Sequence, residues 1–397
     1  MNKSNDQSHF FQTDASEATV ARRAQKSGNK NGDPIILQSK ILDVILDHSS
    51  PSCIYTAESS GCVHQVNIKL KKAVRVYRGP AAPVTSVALG GVKDSIVFGA
   101  CWDQKIWSWD RETGQVSTKY SGHSDFVKKI ITAKLDGKDI LISGGSDSKI
   151  MIWDTVTGSR LYTLQDIGGS MLSIQDLAID PYDSEETQII MFSASSDPFI
   201  RKWCLESSRG KQILDIASDK DLTNSVPFKS NIQEHETSVY RLLLFGDDQN
   251  IDLWTASADG TAKCLSRERS WSAEETYEHK DYVHSVVVTE DLVITAGRDE
   301  DVKIWDRATG KLYHIYEGHF DEVTGLVLID DGKRVVSVSI DQTVRCWELG
   351  ANEIKISIKK KKESSKGCLE EEGEQVSKIH MTAEEIAELN ELMEEDQ

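Results

Sequence analysis

Four histidines in this 397-residue chain are each followed 20 to 24 residues later by an aspartate: His123 and Asp147, His235 and Asp259, His279 and Asp299, His319 and Asp341. A hydroxyl residue, Ser143, Thr255, Thr295 or Ser337, stands between the members of each pair. Hydroxyl, imidazole and carboxylate are the parts of a nucleophilic hydrolase, in which the imidazole takes the hydroxyl proton and the carboxylate orients the ring. An active site is needed once, however. Fourfold recurrence in one register points to a structural use of the same groups.

The element carrying these residues repeats along the chain. Five segments place a Trp six residues after an Asp: Asp103 and Trp109, Asp147 and Trp153, Asp197 and Trp203, Asp299 and Trp305, Asp341 and Trp347. Two looser copies run from Asp259 to Leu265 and from Ser60 to Val66. The anchors at 60, 103, 147, 197, 259, 299 and 341 are separated by 43, 44, 50, 62, 40 and 42 residues. Four of these steps fall in or next to the ~40–45 residue period of a four-stranded propeller blade. The two long steps mark insertions, the larger near Ser207–Ser230. Short alternating runs rich in β-branched residues, such as Asp139-Ile-Leu-Ile-Ser143 and Ile150-Met-Ile-Trp153, read as strands. A lone sheet of this size cannot bury both faces, so the seven must stack about an axis.

With Gly122-His123 and Gly318-His319 opening units, and Trp109-Asp110, Trp153-Asp154 and Trp305-Asp306 closing them, the chain resembles the WD-repeat β-propeller family over about residues 34–350. The resemblance implies an all-β, seven-bladed propeller. It also implies a buried hydrogen-bond chain in each full blade: His123, Ser143, Asp147 and Trp153; His279, Thr295, Asp299 and Trp305; His319, Ser337, Asp341 and Trp347. The fifth blade has Leu265 where Trp is expected, and its chain should be cut short. Blades one, two and four carry Leu37, Pro80 and Ser170 at the histidine position and should be less rigid. The last blade should borrow a strand from the other terminus, with Asp33-Pro-Ile-Ile-Leu37 favoured over the alternating 353–358.

The resemblance further implies a top rim that binds a protein partner. Carried over by register, its positions give Trp102, Phe126 and Lys128 on blades two and three, Tyr240, Tyr282, His284 and Arg298 on blades five and six, and Ile340 on blade seven. Trp, Tyr and Arg are enriched among interface hot spots. The rival reading packs some of these aromatics between blades. His284 has no Cys or His at metal-ligand spacing and reads as a rim residue.

Composition narrows the functional classes. Lys and Arg number 46 against 64 Asp and Glu, a net charge of −18, which disfavours general nucleic-acid binding. Seven scattered cysteines without a C-x-x-C pair disfavour structural zinc and a disulfide framework. No run of ~18 apolar residues offers a membrane span. No cofactor is expected, and the ring reads as monomeric. Residues 1–33 are polar and read as a disordered tail, and 351–380 as a charged linker in which Lys359–Lys362 is either a nuclear-import signal or a solvated run. Residues 381–397 read as an acidic amphipathic helix. It opens on the capping box Thr382-Ala-Glu-Glu385 and aligns Ile386, Leu389, Leu392 and Met393 on one face for a partner or for the ring.

These features together predict a non-catalytic, intracellular scaffold of a protein complex. The alternatives are a substrate receptor of a ubiquitin ligase and a subunit of a ribosome-biogenesis or RNA-processing complex. For the ligase, the Trp-Asp-x-Arg/Lys signal is met only loosely, with Arg111 and Arg307 one position early.

Overall fold

The computed structural model describes residues 14–213, 231–247 and 250–356. The lysine run, the amphipathic helix with Ile386, Leu389, Leu392 and Met393, and most of the large insertion lie outside the described residues.

The repeats become seven four-stranded antiparallel sheets, spanning 41–77, 84–121, 127–164, 174–213, 239–278, 283–317 and, with residues 35–36 added, 323–348; they are blades 1 to 7 below. The innermost strand of each packs on that of the next, and the innermost strand of blade 7, Val323–Ile329, packs on that of blade 1, Ile41–Leu46. Thr324 Oγ1 donates to the Ile41 carbonyl at 3.0 Å across that junction. Ile41, Val44 and Ile54 share one apolar cluster with Ile329, Val336 and Val338.

Burial explains the composition of the strands. Second strands such as Cys53–Glu58 and Ile189–Ser195 are buried along their whole length. They therefore read as continuous apolar and small-residue runs rather than as an alternation. Outer strands such as Val116–Ser121 are largely exposed and carry the polar residues.

The fourth strand of blade 7 is Ile35–Ile36, with Ile35 opposite Val344 and Ile36 opposite Thr343. Leu37 N–H donates to the Gln342 carbonyl at 2.8 Å, and Cys346 N–H to that of Gly32 at 2.8 Å. The competing 353–358 run supplies no strand in its described part. Residues 351–356 are helical, with Ile354 N–H donating to Gly350 at 2.9 Å.

Every innermost strand slips register by one residue near its start, between Ile41/Asp43, Val84/Ser86, Val127/Lys129, Ile174/Asp176, Val239/Arg241, Val283/Ser285 and Val323/Gly325. Such bulges re-aim a side chain. Here they present Lys128, Tyr240 and His284 toward the face that carries the turn aspartates, the top.

Residues 14–26 lie in the stretch whose composition gave no ordered element, and they form a helix, α1 (Asp14–Lys26). Ala, Arg, Gln and Lys favour helix locally, and contacts with blades 6 and 7 hold it.

Candidate functional site

The recurring histidines form continuous hydrogen-bond chains. In blade 3, Trp153 Nε1 donates to Ser143 Oγ at 2.8 Å, and His123 Nε2 lies 2.8 Å from the same oxygen. His123 Nδ1 lies 2.9 Å from Asp147 Oδ1. Blade 6 repeats this with Trp305, Thr295, His279 and Asp299 at 2.7, 2.7 and 2.9 Å. Blade 7 does so with Trp347, Ser337, His319 and Asp341 at 2.8, 2.7 and 2.9 Å. The indole can only donate and the carboxylate only accept, which puts a proton on Nδ1; in a neutral imidazole Nε2 then accepts from the hydroxyl and the chain is continuous. Burial alone would raise the aspartates, but the histidine hydrogen bond holds Asp147, Asp299 and Asp341 below the usual carboxylate range. Burial pushes His279 and His319 down.

The connectivity is that of a catalytic triad, yet the nucleophile's place is closed. Ser143 and Ser337 are 0% exposed, and each oxygen already accepts an indole proton. No acyl carbon can approach.

The departing blades satisfy their turn groups with other residues. In blade 2, Gly99 stands at the hydroxyl position because a Cβ there would meet the Trp109 ring at 2.9 Å. Trp109 Nε1 turns to the Arg78 carbonyl at 2.8 Å, and Trp107 Nε1 donates directly to Asp103 at 2.8 Å. In blade 4 the buried guanidinium of Arg201 donates to Ser195 Oγ at 3.1 Å and Asp197 Oδ1 at 3.0 Å. In blade 1, His64 Nδ1 lies 2.5 Å from the buried Glu58, which also accepts from Ser39 at 2.6 Å. Blade 5 stops at Thr255, 2.7 Å from His235 Nε2.

The rim positions form two groups. Trp102 and Phe126 stack with centroids 5.0 Å apart and planes 16° apart, and are 40% and 39% exposed. Lys128 stands half-buried beside them, its ammonium pushed down by burial against the pull of Asp125. On blades 5 and 6, Tyr240 stacks on His284 at 4.5 Å and lies 6.4 Å from Tyr282, over which the Arg298 guanidinium sits at 5.2 Å. His284 Nε2 is 2.5 Å from Glu322 Oε1. Burial pushes Glu322 up, but that contact brings its carboxyl below the usual range. Ile340 belongs to neither stack. It is half-buried, with its N–H donating to the Glu322 carbonyl at 3.0 Å.

Two further sets of residues escaped the sequence reading. The first crosses the central channel. Lys129 Nζ of blade 3 lies 3.2 Å from Asp43 of blade 1 and 3.5 Å from Asp176 of blade 4. Arg241 of blade 5 reaches the same two carboxylates at 3.7 and 3.8 Å. Ser86 Oγ donates to Asp43 at 2.8 Å, and Leu242 N–H to Asp176 at 2.8 Å. Contacts between non-adjacent blades run across the axis, so these four charges plug the channel. Their signal is a column: six residues after the histidine frame (Leu37, Pro80, His123, Ser170, His235, His279, His319) stand Asp43, Ser86, Lys129, Asp176, Arg241, Ser285 and Gly325.

The second set locks neighbouring blades at the bottom. Arg111 of blade 2 donates twice to Asp47 of blade 1, at 2.7 Å each. Arg267 of blade 5 donates twice to Asp180 of blade 4, at 2.8 and 2.7 Å. Arg307 lies over the Phe245 and Trp254 rings at 5.4 and 5.8 Å and donates to the Thr289 carbonyl at 3.5 Å.

No group of three or more His, Cys, Asp or Glu among the described residues is placed to hold a metal. No described helix is long and apolar enough to cross a membrane.

The family described as WD domain, G-beta repeat matches residues 114–154, 272–306 and 310–348. Each match begins on the outer strand of one sheet and ends on the third strand of the next, so the repeat of the sequence is offset by one strand from the blade. An uncharacterized WD repeat-containing protein of Schizosaccharomyces pombe is 29% identical over 401 residues, covering 98% of this chain and 99% of its own length. Nuclear distribution protein nudF of Aspergillus niger is 27% identical over 79% of this chain and 70% of its own. Nuclear distribution protein PAC1 of Gibberella zeae is 25% identical over 69% of this chain and 60% of its own.

Proposed function

We propose that this chain, a WD-repeat seven-bladed β-propeller, is a non-catalytic scaffold that holds a partner protein on its top rim. The observation that carries the reading is the Trp102–Phe126 stack, two large apolar rings each about two-fifths exposed on a ring whose other tryptophans are buried or nearly so among the described residues. Rigid aromatics with little rotamer entropy to lose are effective anchors. The Tyr240–His284–Tyr282–Arg298 group is the second contact. Similarity to the nuclear distribution proteins over 69% and 79% of this chain supports the reading of the ring as a binding module.

The ubiquitin-ligase alternative draws no support from its signal residues, since Arg111 and Arg307 are engaged between blades rather than displayed. The test is affinity purification of the tagged chain with Trp102→Ala and with Tyr240→Ala/Arg298→Ala. Loss of a stoichiometric partner at unchanged melting temperature is expected. Full retention by both variants overturns the rim assignment.

A further inference from the structure

α1 lies on the top of blades 6 and 7, and charge holds it there. Arg22 NH2 is 2.7 Å from Glu300 Oε1, and Lys26 Nζ is 3.0 Å from Glu300 Oε2. Arg23 reaches Glu300 at 3.5 Å and Asp321 at 2.8 Å. Just past the helix, Asn29 Nδ2 donates to the Gly318 carbonyl at 2.7 Å and Asn31 Nδ2 to that of Glu317 at 2.9 Å. Beneath these bases the Glu300 side chain is fully covered. The ring's half of the contact is built in. Glu300 sits in a tight turn with φ +71, one residue past the blade 6 turn aspartate Asp299, whose carboxylate is anchored by His279.

The helix's half is not built in. Val20 is 63% exposed, Ala21 and Ala24 are exposed, and no side chain of α1 joins an apolar cluster among the described residues. Ion pairs with half-exposed arginines are individually weak and are screened by salt. A rigid acidic corner is therefore covered by a basic helix whose described side chains bring no apolar anchor. That combination suits exchange better than permanent attachment.

We propose that the Glu300–Asp321 corner is a docking site for a basic helical segment, filled in cis by α1 and open to a basic helix of a partner protein. Recognition rests on a pair of bases one turn apart, Arg22 and Lys26, converging on the two oxygens of one carboxylate while Arg23 takes the second acid. The site is separate from the aromatic contacts and stands or falls without them. It shares turns with them, since Arg298 precedes Glu300 by two residues and Glu322 follows Asp321. Displacement of α1 would thus be felt at Arg298 and His284.

A labelled peptide of residues 14–31, titrated onto full-length chains, tests the exchange. A chain with Arg22→Glu, Arg23→Glu and Lys26→Glu repels its own helix from the corner. It should bind the peptide about tenfold or more tighter than wild type does, because the cis competitor is gone. Adding Glu300→Gln to that chain should remove most of the gain. Equal affinity for the wild-type and charge-reversed chains, or indifference to Glu300→Gln, overturns the proposal. Hydrogen exchange on full-length Glu300→Gln gives an independent reading. Amides of 14–28 should exchange about fivefold or more faster than in wild type, with blades 2 to 4 unchanged. Unaltered exchange there is equally fatal.

Discussion

Replacing Lys129 by Met tests whether the charges in the channel hold the ring together. Lys129 bridges Asp43 and Asp176, whose side chains are 7% and 3% exposed. Without the ammonium, the counter-charge left to both carboxylates is that of Arg241 at 3.7 and 3.8 Å, beyond hydrogen-bond reach, with Ser86 Oγ and Leu242 N–H as neutral donors at 2.8 Å each. Removing one partner of a buried pair costs about 3–5 kcal/mol, because the remaining charge stays desolvated. Arg241 has a quarter of its side chain in solvent and room to move, which places the expectation at the lower end, about 3 kcal/mol. With an unfolding entropy of ~2.1 cal/mol/K per residue, a ring of roughly 320 residues should melt about 4–5 °C lower.

The double variant Lys129→Met/Asp176→Asn sharpens the test. It removes one stranded carboxylate while the amide oxygen can still accept Leu242 N–H, and it should recover at least half of the loss. The pH profile gives a third reading. Burial pushes Asp43 up, but Lys129, Arg241 and Ser86 bring it below the usual value. A depressed carboxyl contributes stability above about pH 4, lost as pH falls through its folded value. The gap between wild type and Lys129→Met should therefore narrow below about pH 4. Calorimetry at pH 7.5 and at pH 3.5 decides. A single variant within about 1 °C of wild type, or a double variant no better than the single, refutes the reasoning.

Three other outcomes follow from the same physical rules. Arg111→Ala strands Asp47, fully buried, with Gln65 as its remaining side-chain donor at 3.1 Å, and should cost about 2–4 kcal/mol in urea midpoints while Asp110→Ala, on the solvent side, costs far less. Burial holds His279 and His319 below the usual imidazole value despite their aspartates; the unfolded chain then binds more protons, so stability is complete above about pH 6.5 and declines as pH falls through the folded values, and a flat profile from pH 8 to 5 would contradict the neutral-imidazole assignment. Asp301, half-buried near Asp299 and Glu317, is pushed up to about 6; its contribution is complete below about pH 4 and lost as pH rises through the folded value, so Asp301→Asn should raise the melting temperature at pH 7.5 and give no gain at pH 4.

The frame was legible because the turn aspartate and its tryptophan recur wherever a blade must bury the same polar groups. Seven anchors sufficed to count the blades, and the register of Asp33–Leu37 sufficed to place the closing strand at Ile35–Ile36. The frame says which atoms need partners but not which residue supplies them. Blade 4 uses Arg201, blade 2 uses Trp107 and blade 1 uses Glu58 with His64. Departure from the motif therefore did not leave the acidic turn groups Asp103, Asp197 and Glu58 without partners. α1 was hidden for another reason. Its helix has no apolar stripe to betray it, and its partner Glu300 lies 274 residues beyond Lys26.

The channel charges carry a sequence signal of their own. Asp43, Lys129, Asp176 and Arg241 share one column of the repeat, and four charges inside apolar strands are unexpected unless they meet. A repeat read only for what its copies share discards the columns in which they differ. Those columns hold the residues that distinguish one blade from another. In the channel, differing residues complement one another and stabilise the ring, as Lys129 does between Asp43 and Asp176. On the rim, Trp102 and Phe126 stack on each other and leave about two-fifths of their surface to solvent. The same variation that keeps the repeat from naming what the rim binds is what a binding rim needs in order to hold one partner and refuse another.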